Sequence, residues 1–257
     1  MRLVSWNVNG LRAVFKKGLF DWLDETDPDV VLFQETKAYP AGMPADLVDV
    51  PGWFVAYESA KRKGYSGVGI WTRFEPDEWI RGIGDEQFDD EGRLIGARFG
   101  NVVVCSIYFP NSAAKTARLD YKLAFNAAIE HFSARQRELG RHVILAGDFN
   151  VAHQDIDIAR PKENQGSPGF LPEEREWFGS FLDSGFKDTW REQHPDTVDA
   201  YSWWSMRTRA RERNIGWRID YFVVDEAYWS KVRSTGIEAD VEGSDHCPVT
   251  LVVDNPK

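Results

Sequence analysis

Short apolar segments recur along the chain, separated by a few longer stretches in which apolar residues follow a helical spacing. Several of the short segments are almost wholly apolar, as is typical of strands that are covered on both faces. We predict strands in nine segments, at residues 2–8, 29–35, 53–59, 66–72, 93–99, 101–109, 142–149, 218–224 and 248–253.

The longer stretches have the signals of helices, which we predict at residues 18–26, 116–139 and 172–185. The second has apolar side chains at helical spacing, with Ile129 and Phe132 on one face. The third begins at Pro172 with acidic residues behind it and ends at Gly185, which is how helices are commonly bounded. Because strands outnumber helices and the two are intermixed, we predict two sheets packed on each other with helices outside, as one domain over residues 1–257.

The chain is acidic overall but has two short basic segments. The formal net charge is −10 and the pI about 5.1, which argues against a nucleic-acid partner because such partners are bound by neutralising their phosphates. Residues 207–218 nevertheless contain five arginines and one acid, and residues 61–63 read Lys-Arg-Lys. Each run alone is typical of a solvated surface, but an acidic protein with such a face can also bind a polyanion.

Other features bear on the compartment. The two cysteines, Cys105 and Cys247, lie in or beside apolar segments, which favours free buried thiols over a disulfide or a metal pair. The N-terminal residues have one basic residue and no long apolar core, so no signal peptide is predicted. No apolar run approaches the roughly 20 residues that span a bilayer. We therefore expect a cytoplasmic protein without a membrane partner.

Polar side chains stand at the ends of most predicted strands. Asparagine and aspartate are common at such junctions because they bond their own backbone, so any single case has a structural explanation. Six strand ends with this character favour a shared site at one rim of the two sheets. The residues concerned are Asn7, Asn9, Glu35, Tyr108, Asn111, Asp148, Asn150, Asp220, Asp245 and His246.

Such a set suits phosphodiester hydrolysis, which needs a positioned water, neutralised phosphoryl oxygens and a stabilised leaving alkoxide. Mg²⁺ takes oxygen ligands and keeps several waters, so Glu35 with Asn7 or Asp245 would hold it. An imidazole beside a carboxylate, as at His246, can donate to a phosphoryl oxygen or transfer a proton. The sequence has no zinc-type Cys/His cluster, no G-x-S-x-G motif and no phosphate-binding glycine-rich loop with its lysine, which excludes zinc, acyl-transfer and nucleotide-triphosphate chemistry.

Seven motifs occur in order: SWNVNGLRA (5–13), LFQETK (32–37), GYSGVGI (64–70), YFPNS (108–112), GDFNVAH (147–153), RERNIGWRIDYF (211–222) and GSDHCP (243–248). Together they resemble the exonuclease III family of apurinic/apyrimidinic endonucleases, within the DNase I-like superfamily, from Leu3 to Val252. The GDFN and SDHCP pieces also occur in distant relatives. WNVNGLRA, GYSGVG and GWRIDYF are more particular to the DNA-repair branch.

The resemblance implies an α/β (α+β) fold, a four-layered sandwich of two packed mixed β-sheets flanked by helices, with the site at the rim of both sheets. It makes Glu35 the main Mg²⁺ ligand, with Asn7 and Asp245 close to the metal and Mn²⁺ as a substitute. Asn9 stands where some relatives carry an aspartate.

The resemblance also assigns catalytic roles. Asp148 would be the base or the orienter of the attacking water, assisted by Asn150. The groups that bind the phosphate correspond to Tyr108, Asn111 and the Asp220–His246 pair.

A pocket for a flipped-out abasic sugar is implied as well. An apolar pocket admits a deoxyribose that lacks its base and excludes an intact nucleotide by size. For each tryptophan the structural alternative is core packing. In the DNA-contacting loop, Ser167 replaces a residue that is often asparagine, and Arg207 could enter the duplex from one groove. The pocket and DNA-contacting positions correspond to Trp203, Trp217, Ile219, Phe170, Asn164, Arg207 and Tyr65.

The leading hypothesis is a Mg²⁺-dependent DNA repair nuclease that cleaves duplex DNA 5′ to abasic sites, leaving a 3′-hydroxyl and a 5′-deoxyribose phosphate. The same site would remove 3′-blocking groups and act as a 3′→5′ exonuclease. Two alternatives stay open: a superfamily phosphoesterase acting on a phosphoinositide, sphingomyelin or RNA, and a catalytically inactive DNA-binding relative. We expect a monomeric, nucleoid-associated prokaryotic protein.

Overall fold

The computed structural model describes residues 1–256 and consists of two six-stranded sheets packed face to face. Lys257, the last residue of the predicted domain, lies outside the described residues. The first sheet has the order β11-β12-β1-β2-β4-β3 and the second the order β5-β6-β7-β8-β10-β9. Each is mixed, because β1 pairs with β2 and β7 with β8 in parallel while the other pairs are antiparallel. The strands are β1 (Arg2–Asn7), β2 (Val30–Gln34), β3 (Phe54–Glu58), β4 (Val68–Thr72), β5 (Glu78–Arg81), β6 (Leu94–Phe99), β7 (Val102–Tyr108), β8 (His142–Asp148), β9 (Phe186–Asp188), β10 (Asp220–Asp225), β11 (Val232–Ile237) and β12 (Val249–Val253).

Helices cover both outer faces and complete the four layers. The α-helices are α1 (Leu11–Phe15), α2 (Leu19–Thr26), α3 (Glu86–Asp89), α4 (Leu119–Glu138), α5 (Pro172–Asp183) and α6 (Thr189–Gln193). One core lies between the sheets, where Leu32 and Ile144 belong to the same buried cluster. On the outer faces, Leu23 of α2 shares a cluster with Phe33 of β2, and α4 and α5 cover the second sheet. Among residues 1–256 no helix combines the length and the apolarity that crossing a membrane requires.

Parallel and antiparallel pairing together bring the site's strand ends to one rim. β1 and β2 both end there, and β12, which is antiparallel to β1, begins there. In the second sheet β7 and β8 end at the same side, and Asp220 at the start of β10 lies opposite Asp148 at the end of β8. The predicted rim is therefore a single edge shared by six strands.

Gly147 shows why the chain needs glycine directly before Asp148. Its φ is +150°, and an added Cβ would lie 1.9 Å from the Ile107 carbonyl oxygen. A larger residue would push β8 away from β7, and Tyr108 and Asp148, which are paired at the ends of these strands, would separate.

The nine predicted strands are all present, and the three predicted helices correspond to α2, α4 and α5. The strands β5, β9 and β11 were not predicted. β9 has only three residues, and β5 and β11 are edge strands with exposed, polar positions, so they lack the apolar run that marked the others. Cys105 and Cys247 are free and buried, as predicted.

Candidate active site

The two sheets meet at the site through Asn7, which is fully buried at the end of β1. Its Nδ2 donates to Glu35 Oε1 at 3.0 Å and to Asp148 Oδ2 at 2.9 Å. Its Oδ1 accepts from the Asn9 backbone N–H at 3.0 Å. Asn7 thus fixes one carboxylate from each sheet with a single amide, and it does so from behind them.

Glu35 follows β2 in a left-handed conformation, with φ of +47°. This turn brings Lys37 beside Glu35, with 2.9 Å between Lys37 Nζ and Glu35 Oε2. The same ammonium donates to Asn9 Oδ1. The Glu35 carboxylate is therefore held between an amide donor and a cation.

His246 and Asp220 form a buried pair, with 2.8 Å between Nδ1 and Oδ2. Ser202 Oγ donates to the same Asp220 oxygen at 2.6 Å. Burial would lower the pKa of His246, but Asp220 and then Asp148 outweigh it and raise that pKa to about 10. The imidazole is consequently a cation at neutral pH, and its Nε2 lies 3.8 Å from Asp148 Oδ2.

Asp148 is the buried carboxylate between these groups. Burial, partly offset by the His246 cation, raises the pKa of Asp148 to about 7, and Asp220 and Glu35 act in the same direction. Its Oδ1 accepts from the Asn150 N–H at 2.8 Å. A carboxylate that titrates near neutral pH beside a cavity is suited to accept a proton from water.

The two phosphate-binding candidates are Asn111 and Tyr108. Asn111 Nδ2 donates at 2.9 Å to Oδ1 of Asn150, whose φ is +51°. Burial, together with Glu35 and Asp148, raises the pKa of Tyr108 well above its usual range. Its phenol therefore keeps its proton and remains a hydrogen-bond donor.

Asp245 precedes β12 and has hydrogen bonds on both oxygens. Oδ1 accepts from Asn9 Nδ2 at 2.8 Å and from Ser244 Oγ at 3.3 Å, and Oδ2 accepts from Trp203 Nε1 at 3.1 Å. Burial would raise the pKa of Asp245, but the His246 cation and the hydrogen bonds from Asn9 and Trp203 keep that pKa below its usual value. Asp245 is therefore ionised.

A cavity of about 380 Å³ opens over these groups. Its lining joins the charged residues Glu35, Asp148 and His246 to an apolar wall of Trp203, Trp217 and Ile219. The two indole rings meet edge to face, with centroids 5.9 Å apart. The other lining residues are Tyr108, Asn111, Asn150, Ser167, Pro168, Gly169 and Asp245.

Four of the residues predicted for the pocket or DNA contact lie away from this lining. Phe170 packs behind the wall and is 2% exposed. Asn164 donates to the backbone oxygens of Ala159 and Arg160 and so ties its own loop together. Arg207 is exposed in a short 3₁₀ turn. Tyr65 has a different position, described next.

Tyr65 belongs to a partly buried network beside Tyr108. Its hydroxyl accepts from Arg93 Nη2 at 3.0 Å and from Arg118 Nη1 at 2.5 Å. Arg93, only 2% exposed, also donates to the Tyr108 backbone oxygen and lies over the Tyr108 ring at 4.9 Å. The GYSGVG motif thus contacts the site through Arg93.

Sequence reasoning missed several residues that organise the site. Lys37 could have been found from its place two residues after Glu35 in LFQETK. Ser202, Lys122 and Glu174 gave no signal, because a serine between aromatic residues and charged residues within helices are usually surface positions.

A hard divalent cation fits the donors present. Ligand atoms of Glu35, Asp148 and His246 lie within 4.8 Å of one another. Two of these three residues are carboxylates, whose oxygens are the donors that a hard cation such as Mg²⁺ or Mn²⁺ takes. Asp220 Oδ1 is also buried and has no hydrogen-bond partner among the described residues.

Comparison with known proteins identifies the family. Residues 4–246 match the family described as Endonuclease/Exonuclease/phosphatase family. The chain is 46% identical to an exodeoxyribonuclease of Bacillus subtilis, with 98% of this chain and 99% of that protein covered. It is 42% identical to the DNA repair nuclease APEX1 of Danio rerio, covering 98% and 81%.

Among solved structures, the AP endonuclease LMAP of Leishmania major superposes with a TM-score of 0.90 at 30% identity, covering 97% of this chain and 86% of that one. Both the predicted sandwich of two mixed sheets flanked by helices and the predicted family are thereby confirmed. The chain belongs to the Endonuclease/Exonuclease/phosphatase family.

Proposed function

We propose that this protein is a DNA repair nuclease that hydrolyses the phosphodiester bond 5′ to an abasic site in duplex DNA. The observation that carries the proposal is the composition of one cavity, in which the carboxylates and the imidazolium lie beside an apolar wall of two tryptophans and Ile219. A phosphate and a sugar without its base would be bound side by side there. Relatives named as an exodeoxyribonuclease and as AP endonucleases support the same class of reaction.

Glu35 would hold a Mg²⁺ ion, or Mn²⁺ in its place, with Asn7 and Asp245 beside it. The ion, when bound, would neutralise charge on the phosphate and the leaving oxygen. Asn7 keeps the Glu35 and Asp148 carboxylates in register, and Lys37 balances the charge on Glu35.

Asp148 would take a proton from water as the water oxygen forms its bond to phosphorus. The bond from phosphorus to the 3′ oxygen breaks, and that oxygen becomes the 3′-hydroxyl once protonated. The products are a 3′-hydroxyl and a 5′-deoxyribose phosphate. The His246 cation, with Tyr108 and Asn111, would donate hydrogen bonds to phosphoryl oxygens as their charge increases.

Selection of the abasic site would come from the apolar wall. Trp203, Trp217 and Ile219 give a surface that a base-free deoxyribose can contact, whereas an attached base would need more room. Terminal 3′-blocking groups and 3′-terminal nucleotides would reach the same phosphate position, which adds 3′-phosphodiesterase and 3′→5′ exonuclease activity. Cytoplasmic location and a monomeric state remain predictions from the sequence.

The test is cleavage of a labelled duplex with one central abasic-site analogue, with Mg²⁺ and with EDTA. We expect one Mg²⁺-dependent cut on the 5′ side of the analogue, absent from intact duplex and lost in Asp148→Asn. Asp155→Asn is the matched control, because Asp155 is a surface residue paired with Arg175. If the wild type leaves the abasic duplex intact, phosphoinositides, sphingomyelin and RNA are the substrates to test.

A further inference from the structure

Trp203 lies at the junction between the pocket wall and the charged part of the site. Its ring lines the cavity, and its Nε1 donates to Asp245 Oδ2 at 3.1 Å. Among the described residues, this indole N–H is the only hydrogen-bond donor recorded on that oxygen, since Asn9 and Ser244 bond to Oδ1. One side chain therefore belongs to both halves of the site.

The backbone keeps Trp203 in this position. Its N–H and carbonyl both pair with Trp217, each at 2.9 Å, and the next residue, Trp204, donates from its backbone to the Asp245 carbonyl at 3.0 Å. The segment is therefore tied to both the other pocket tryptophan and the loop that carries Asp245. A shift of the Trp203 indole should therefore also move Asp245.

Asp245 is connected in turn to Glu35. Asn9 donates to Asp245 Oδ1 and accepts from Lys37, whose ammonium lies 2.9 Å from Glu35 Oε2. The contacts run from Trp203 through Asp245, Asn9 and Lys37 to Glu35. The pocket wall is thus joined to the proposed metal ligand by consecutive polar contacts.

We infer that the indole N–H of Trp203 couples the sugar pocket to the metal site, so that Trp203 is a positioning residue for Asp245 in addition to a wall of the pocket. The inference rests on the proposed function. A base-free sugar packed against the ring fixes the indole, and the fixed N–H holds Asp245 in the orientation the cation requires. Because coupling between two sites is reciprocal, abasic DNA tightens the binding of the metal and the metal tightens the binding of abasic DNA.

Trp217 provides the matched comparison. It lines the same cavity and meets Trp203 edge to face, but its indole has no hydrogen bond to a site carboxylate among the described residues. Trp→Phe at either position keeps an aromatic wall. Only Trp203→Phe removes a donor from Asp245.

The first measurement is calorimetric titration of Mn²⁺ alone into the wild type, Trp203→Phe and Trp217→Phe, with thermal unfolding to verify folding. We expect the Mn²⁺ dissociation constant to rise about tenfold in Trp203→Phe. This is the lower end of the range of affinity losses found when a group that orients a metal ligand is removed. It should change less than about twofold in Trp217→Phe. Equal Mn²⁺ affinity in the two folded variants would overturn the inference.

The second measurement tests the coupling, with all three proteins in an Asp148→Asn background that keeps the DNA intact. Mn²⁺ affinity is compared without DNA, with an abasic-analogue duplex and with intact duplex. We expect the abasic duplex to tighten Mn²⁺ binding at least about fivefold in the protein that retains Trp203 and Trp217, and to lose this effect with Trp203→Phe. Coupling that survives in Trp203→Phe contradicts the inference.

Failure of the proposed function would look different. In that case wild-type protein would not cut abasic DNA, and the abasic and intact duplexes would affect Mn²⁺ binding equally. The Mn²⁺ affinity of Trp203→Phe without DNA would still decide whether the indole N–H of Trp203 positions Asp245. Cleavage kinetics give a further readout. The turnover of Trp203→Phe should return towards that of the wild type as Mn²⁺ is raised.

Discussion

Asn7 illustrates how much of this site depends on single side chains. One amide group holds Glu35 from the first sheet and Asp148 from the second. Glutamine is the other side chain with two amide protons and an amide oxygen, but its side chain is longer. A single residue thus sets the distance between a proposed metal ligand and a proposed base.

Replacing Glu35 tests the metal assignment. Glu35→Ala should reduce turnover on abasic DNA by about two to three orders of magnitude, the range found when one strong electrostatic contact to a transition state is lost. Part of the loss should return at high Mg²⁺ or Mn²⁺, because the remaining carboxylates still attract the ion. Steady-state kinetics over a metal titration measure both effects.

The control is Glu78→Ala, since Glu78 pairs with Arg98 at the end of the second sheet opposite the site. Full activity in Glu35→Ala at low metal would remove Glu35 from the mechanism.

The pH dependence should follow Asp148. Because burial raises the pKa of Asp148 to about 7, the residue keeps its proton in mildly acidic solution and cannot accept one from water. Activity should therefore rise with pH and level off above neutrality. Since a bound cation favours the carboxylate, raising the Mn²⁺ concentration should move the rise to lower pH.

The profile of kcat/KM between about pH 5 and 9 at two Mn²⁺ concentrations measures this. A flat profile, or one that Mn²⁺ does not move, would count against Asp148 as the base.

At this scale the sequence indicated which polar side chains line the cavity better than it indicated the residues that hold them in place. The carboxylates and His246 were found because polar groups at the ends of apolar strands are conspicuous. Lys122 and Glu174 were not found, because nothing in a helical sequence distinguishes a buried ion pair from a pair of solvated charges. The contact of Tyr65 with DNA stays a prediction, and the structure adds that its hydroxyl accepts from Arg93 and Arg118.

At the scale of elements, the helices α4 and α5 support the site through the pair formed by Lys122 and Glu174. Both side chains are fully buried, with 2.8 Å between Lys122 Nζ and Glu174 Oε1. Lys122 also donates to the Asn150 carbonyl at 2.6 Å, and Glu174 Oε2 accepts from the Gly169 N–H at 2.7 Å. Ser112, next to Asn111, donates to Glu174 as well. One buried ion pair therefore anchors three loops of the cavity.

Replacing one partner of this pair should lower the free energy of unfolding more than replacing both partners. Lys122→Met leaves the Glu174 carboxylate buried without its cation, and we expect a loss of about 3–5 kcal/mol in the free energy of unfolding. Lys122→Met with Glu174→Leu should recover much of that stability, because apolar side chains of similar size fill the same space. Denaturant unfolding of the single and double variants measures the difference.

Activity should not recover in the same way, since the double variant still lacks the groups that hold Asn150 and Gly169. A double variant as unstable as the single one would contradict the role of the pair.

The elements themselves were predictable where burial was complete. Apolar runs identified the central strands, whereas β5 and β11 lie at sheet edges and expose part of their side chains. Edge strands are stabilised by a neighbour on one side only, so their sequence need not be apolar. Which strands pair, and hence that six ends meet at one rim, depends on contacts between residues far apart in the chain.

Across the whole molecule, charge is distributed unevenly. The net charge of −10 repels DNA at long range, so the proposed DNA binding would depend on local basic segments such as residues 207–213. In these residues Arg207 and Arg209 are exposed, while Arg211 is committed to backbone carbonyls and stacks on Trp204.

Binding of abasic duplex should therefore weaken with salt, and the slope of log affinity against log salt should be about −0.9 for each phosphate neutralised. Replacing Arg207 and Arg209 together by Gln should make this slope shallower by up to about two such contacts. Fluorescence anisotropy over a salt series measures it, with Arg233→Gln as the control because Arg233 pairs with Asp254. An unchanged slope would exclude these arginines from the DNA-binding face.

The site also divides along the chain. Asn7 and Glu35 come before the connection between β4 and β5, whereas Asp148, Asp220 and His246 come after it. A chain cut in that connection would leave both pieces without a complete catalytic set, although the strands of the first sheet would draw them together through β1 and β12. DNA incision would then report the reunion of two fragments, which makes the fold a candidate for a split-enzyme sensor.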